Sequence, residues 1–130
     1  MSHKTFDALG LITEDEAVTA TASVAGVNIA GLNIGDAAYH AVLNAGDVTG
    51  TVDGSNYYTL QLEVSDLVGG TYYPVGNAAT LAATADSYEA GFTAKQINDL
   101  IDGAEFFRVT ATQVGTTATA VTYTAFLSRV

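Results

Sequence analysis

Tyr57-Tyr58-Thr59-Leu60-Gln61-Leu62-Glu63-Val64-Ser65 alternates strictly: Tyr58, Leu60, Leu62 and Val64 fall on one side, Tyr57, Thr59, Gln61 and Glu63 on the other. Successive side chains of a strand point to opposite faces, so this is a strand with one face on a core and one toward water. The preceding Asp53-Gly54-Ser55-Asn56 supplies a turn, because Gly and Asn adopt positive φ at little cost. This one stretch sets the period for the rest of the chain.

Working toward the C-terminus, residues 106–114 and 117–129 repeat the pattern and are rich in Val, Thr, Tyr and Phe. Gly115-Thr116 between them reads as a hairpin connection. In the last run Val121, Tyr123, Ala125 and Leu127 alternate with Ala120, Thr122, Thr124 and Phe126, giving an outer face of threonine rather than charge. Weaker strands are expected at 18–24, 39–45, 71–75, 78–84 and 87–91. A spacing of about ten residues between runs, punctuated by Gly and Asn, favours a sandwich or small barrel. One helix interrupts the strands: Thr93-Ala94-Lys95-Gln96 has the capping-box form, Ile97, Leu100 and Ile101 share a face, and Gly103 is placed to end it, predicting a helix near 94–102. Pro74, the single proline, belongs in a loop or at a strand edge. Residues 1–17 fit no single period and are expected to form an extended N-terminal arm, which either packs on its own domain or reaches to a neighbouring subunit, leaving one β-sandwich domain over 18–130.

Bulk composition narrows the function classes. The chain has 130 residues, 48% apolar and 14% charged, against roughly 25% charged in ordinary soluble domains. A chain with so little charge to cover a free surface is suited to hiding surface against partners. Fourteen Asp and Glu face four Lys and Arg, for a net charge of −10. Lys4, Lys95, Arg108 and Arg129 are too few and too scattered to form a phosphate-neutralising patch, which argues against direct nucleic-acid binding and against docking on anionic lipid. There is no cysteine, hence no disulfide framework. Asp7 and Glu14 to Glu16 interrupt the apolar runs of the N-terminus, so neither a secretory segment nor a membrane span is expected, and the chain is expected to be made in a cytoplasm.

Residues with chemical potential are sparse. His3 and His40 have no second ligand at metal spacing, so no metal or other cofactor is expected. Ser23, Ser55, Ser65, Ser87 and Ser128 lie outside any nucleophile-elbow pattern, and an enzyme is not expected. Glu63 reads as a solvated strand residue, and the glycoside-hydrolase arrangement of two acids in a tryptophan-lined cleft has no tryptophan to build on. Asp47, Asp53, Ser55 and Asn56 offer oxygen ligands without the spacing of a helix-loop-helix calcium motif. Gly69-Gly70 and residues 25–35 lack a phosphate-loop lysine. The adjacent pairs Tyr57-Tyr58 and Tyr72-Tyr73 each place one ring inward and one outward, so Tyr57 and Tyr72 are candidates to anchor an interface or stack on a sugar.

Three stretches carry a resemblance: Ala17-Val18-Thr19-Ala20-Thr21-Ala22-Ser23, residues 58–65, and Phe106-Phe107-Arg108-Val109-Thr110-Ala111 followed by a turn and residues 119–125. In this order they resemble the jelly-roll cement, or decoration, proteins of tailed-bacteriophage capsids. That family's penultimate strand is more basic; here only Arg108 remains of it. The resemblance implies a jelly-roll domain, a homotrimer, a place on the outer capsid surface of the virion with the major capsid protein as partner, and stabilisation of the head without chemistry. Within this expectation Thr5, Phe6, Leu9, Leu11 and Ile12 of the arm, with Tyr57 and Tyr72, are the candidate interface residues, the arm contributing by strand addition. Two alternatives stand beside it: a tail, neck or fibre-base protein of the same particle, and a carbohydrate-binding module using Tyr57 or Tyr72.

Overall fold

A computed structural model describes residues 10–29 and 38–129. They form two antiparallel sheets packed face to face, an all-β sandwich. The first sheet is built from β1 (Leu11–Val18), β4 (Ala38–Ala45), β9 (Asp86–Thr93) and β11 (Ala118–Arg129), in the order β1-β11-β4-β9, with the short β5 (Thr49–Gly50) also against β11. The second is centred on β6 (Tyr57–Ser65) and β10 (Phe106–Val114). Short strands flank them: β2 (Ala22–Ser23) and β3 (Val27–Asn28) pair with β10, while β7 (Tyr73–Pro74) and β8 (Ala79–Thr80) pair with β6. β2 and β3 are thus two pieces of one edge, and β7 and β8 of the opposite one.

The alternation of residues 57–65 is the physical basis of the core. Tyr58, Leu60, Leu62 and Val64 of β6 meet Phe107, Val109 and Ala111 of β10 and, across the gap, Val121, Tyr123, Ala125 and Leu127 of β11. Each of the Leu, Val and Phe side chains among them stabilises the fold by about 1.5–3 kcal/mol when taken out of water. β6 and β10 pair without a break from Phe106↔Ser65 to Val114↔Tyr57, so a slip of one residue would turn both apolar rows outward. Helix α1 (Ala94–Leu100) follows β9 directly. Its capping box is complete: Thr93 Oγ1 accepts from the Gln96 amide and Gln96 Oε1 accepts from the Thr93 amide, while Ala94 and Ile97 face the core.

Three expectations change. First, of the two placements open to the arm, residues 11–18 take the one on their own domain and extend the sandwich below residue 18: they form β1, paired with β11 from Leu11↔Phe126 to Val18↔Val121. Its irregular sequence period has a local cause, since β1 carries register shifts after Leu11 and after Thr13, and Asp15 has a φ of 49°. Bulges of this kind break the two-residue period. Second, the run 18–24 is split, with β1 ending at Val18 in one sheet and β2 beginning at Ala22 in the other. Third, Gly115-Thr116 does not close a hairpin. β10 and β11 belong to different sheets, and the connection is an arch from one sheet to the other. Both strands have an apolar inner row, and facing sheets bury those rows against each other. The outer face of β11 is not uniformly threonine either, because Phe126 is buried there between Leu11 and Val42.

Candidate interaction surface

The second sheet's outer face carries the polar assembly of greatest definition. The register Arg108↔Glu63 places these side chains directly opposite each other on adjacent strands. Arg108 Nε donates to Glu63 Oε1 at 2.8 Å, and Thr110 Oγ1 donates to the same oxygen at 2.6 Å. Because the Thr110 hydroxyl has a single proton, Ser23 Oγ, 2.7 Å away on β2, is the donor to Thr110 Oγ1. The chain Ser23–Thr110–Glu63–Arg108 thus ties β2, β10 and β6 together across the face.

The guanidinium of Arg108 lies over the Tyr72 ring, with Cζ 3.9 Å from the ring centre. The Tyr72 hydroxyl donates to the Val68 carbonyl at 2.8 Å, and burial is the leading cause that raises its pKa, opposed by Arg108. Gly26 lies under that hydroxyl, where any Cβ would collide with it. The polar chain therefore reaches the turn between β6 and β7. That turn has its own internal bonds: the Leu67 amide donates to Ser65 Oγ at 3.2 Å, and the Gly70 amide donates to the Leu67 carbonyl at 3.0 Å. At its tip Leu67 and Val68 are 63% and 55% exposed, the most exposed of the large apolar residues among those described. Two aliphatic side chains are thus held out to solvent on a backbone tied to the sheet at both ends.

The sequence-derived candidates are dispersed by this geometry. Thr5, Phe6 and Leu9 lie outside the described residues. Ile12 is buried in the core and Leu11 is half-buried against β11, so both serve the chain's own sandwich rather than a free arm. Tyr72 is at the site, but one ring face is covered by Arg108, which leaves less of it for a sugar. Tyr57 is opposite Val114 while Glu63 is opposite Arg108, so Tyr57 stands six strand positions from the cluster, about 20 Å at the ordinary rise. Glu63 is not a solvated strand residue: its side chain is 17% exposed and ion-paired. Leu67 and Val68 went unsingled because nothing periodic marks a turn residue; an Asp-Leu-Val-Gly-Gly run with apolar residues where turns are normally polar was the available signal.

The other candidates resolve into local structure. Asp53 Oδ1 accepts from the Ser55 amide and from Asn56 Nδ2, and these bonds hold its carboxyl below the usual range. Asn56 Oδ1 is committed to the Thr116 and Thr117 amides, and Asp47 Oδ1 to the Ala85 amide. These are the contacts of a turn and of loop ends. His40 sits on β4, with its Nδ1 buried and without a hydrogen-bond partner. Among the described residues no three His, Cys, Asp or Glu side chains converge as a metal site, and no helix is long and apolar enough to cross a membrane. Comparison with protein-family models and with curated proteins finds no match for this chain.

Proposed function

We propose that this protein is a structural subunit that attaches to a larger assembly through the apolar tip at Leu67 and Val68, and that the assembly is a virus head to which it binds as a cement or decoration subunit. The observation carrying this is the tip itself. Exposed aliphatic side chains on a loop pre-ordered by Ser65, Tyr72 and Arg108 lose little conformational freedom on docking, which is how a small anchor gains affinity. The strand order supports the jelly-roll part of the family resemblance. Taking β2 with β3 and β7 with β8 as single edges and passing over β5, the sheets read first-eighth-third-sixth and second-seventh-fourth-fifth in chain order, as in two interlocked Greek keys. Attachment without chemistry, to the major capsid protein, accords with a site made of an ion pair, hydroxyls and aliphatic groups.

Re-addition of the purified chain to virus heads stripped of it tests this function. The double substitution Leu67→Ser, Val68→Ser should leave the circular dichroism unchanged and weaken re-binding by about tenfold or more, since truncated anchors typically cost 1–2 kcal/mol or more. Full occupancy by the double variant would remove the tip from the interface. Absence of the chain from purified particles would remove the virion role altogether.

A further inference from the structure

The first sheet ends in two unlike edges. β1 carries the register shifts noted above, the positive φ of Asp15 and the run Glu14-Asp15-Glu16, all devices that discourage another strand from adding. β9 has none of them. Its eight residues pair with β4 in unbroken register from Ala38↔Thr93 to Ala45↔Asp86, with no bulge, proline or lysine, and its other side pairs with no described strand.

The direction of each β9 amide follows from three observations. The Gly46 amide donates to Thr122 on β11, so even-numbered β4 residues bond toward β11 and odd-numbered ones toward β9. The β9 partners of Tyr39, Ala41 and Leu43 are Phe92, Ala90 and Tyr88, which leaves Ser87, Glu89, Gly91 and Thr93 pointing to the open side. In agreement, the Ser87 amide is taken by Asp86 Oδ1 and the Thr93 amide by Gln96 Oε1, both side-chain acceptors rather than β4 carbonyls. Both ends of the edge are thus stopped, and between them the backbone groups of Glu89 and Gly91 face no described strand. The edge borders a groove toward the second sheet, lined by Pro74, Val75, Gly76, Phe92, Asp99 and Leu100 at one end and continuing past Ala79 and Tyr88.

We propose that β9 accepts one extended segment of a different protein, in which lysine or arginine alternates with apolar residues. Pairing with Glu89 and Gly91 supplies the backbone bonds, and the residue opposite Glu89 shares its face, where a cation is complementary. The alternate residues turn into the groove beside Val75, Phe92 and Leu100. Charge selects the occupant: Glu89 is the carboxylate left open along the edge among the described residues, since Asp99 at the end of the groove is already paired with Lys95 at 2.9 Å, and the β9 of a second copy would set its own Asp86 and Glu89 there rather than a cation. This edge is separate from the apolar tip and goes beyond it.

A short acetylated peptide of alternating lysine and valine, and the same peptide N-methylated at alternate residues, serve as probes. The plain peptide should bind saturably and slow hydrogen exchange at the Glu89 and Gly91 amides. N-methylation and Glu89→Lys should each weaken binding by about tenfold or more, and Leu67→Ser, Val68→Ser should not weaken it. Gly91→Pro should fold, because the lost amide points outward, and should also lose the peptide. Equal binding of the methylated peptide would overturn the proposal, as would unchanged exchange at both amides or a concentration-dependent dimer abolished by Glu89→Lys. Loss of peptide binding with head attachment intact would leave the tip's function standing, and the reverse result would leave the edge standing.

Discussion

Tyr123 is 1% exposed, and its hydroxyl has no hydrogen-bond partner. A buried hydroxyl without a partner has given up its bond to water, at a cost of about 1–3 kcal/mol. Burial first, and then the Glu16 carboxylate, push its pKa far above the ordinary tyrosine value. The folded value therefore lies above the unfolded value of about 10, so the stability linked to the neutral phenol is fully present below that pH and is lost as pH rises toward the folded value. Urea unfolding at a series of pH values should show little change from this group up to about pH 10 and a fall beyond it. Tyr123→Phe should flatten part of that fall and raise stability at neutral pH by up to about 1 kcal/mol, since it removes the unpaired group and keeps the ring. A loss of more than about 1 kcal/mol would mean that the hydroxyl has a bonding role after all. Tyr58 repeats the arrangement, with a buried hydroxyl, no partner and a pKa raised by burial. None of this was legible beforehand: the alternation placed both rings inward, but whether a hydroxyl meets an acceptor depends on the facing sheet.

The arch between β10 and β11 shows the same division among elements. Gly115 has a φ of 76°, and a Cβ there would press on the Ser55 carbonyl and the Asn56 side chain. Asn56 Oδ1 receives the Thr116 and Thr117 amides at 2.9 and 3.1 Å, so the turn before β6 holds the crossing at the far end of β10. Gly115→Ala should therefore destabilise by about 2–3 kcal/mol, through backbone conformation and collision together. Asn56→Ala should cost about 1–2 kcal/mol by leaving two amides without an acceptor. The double variant should lose less than the sum, because both changes loosen one junction. Chemical denaturation of the three variants checks this, and strict additivity would mean that the two turns are independent. The long strands β4, β6, β9, β10 and β11 were legible because each has enough residues to display a period. The two-residue strands β2, β3, β5, β7 and β8 were legible at best as part of longer runs. They exist because a central neighbour offers unpaired backbone groups, and two residues display no period.

For the molecule as a whole, the family resemblance implies a trimer, and the charge sets the conditions for one. Subunits of 13.4 kDa carrying −10 each repel at low ionic strength, and salt screens that repulsion over about 10 Å at 0.1 M. Light scattering coupled to size exclusion should then give a mass near three subunits at moderate salt, falling as salt is removed; a single-subunit mass at every salt and concentration would remove the trimer. The amino-acid sequence by itself determined that the chain is all-β, which residues of its long strands face inward, where its helix is capped, and that clustered cations are scarce. These follow from side-chain period and residue type, which are properties of neighbours along the chain. Tertiary structure alone decided that β10 and β11 part into opposite sheets, that residues 11–18 join the sandwich as a bulged edge, and that Glu63 meets Arg108 beneath an exposed Leu67-Val68 tip. Each of these is a pairing between residues distant in sequence, and strand register, which no local pattern encodes, is what brings them together.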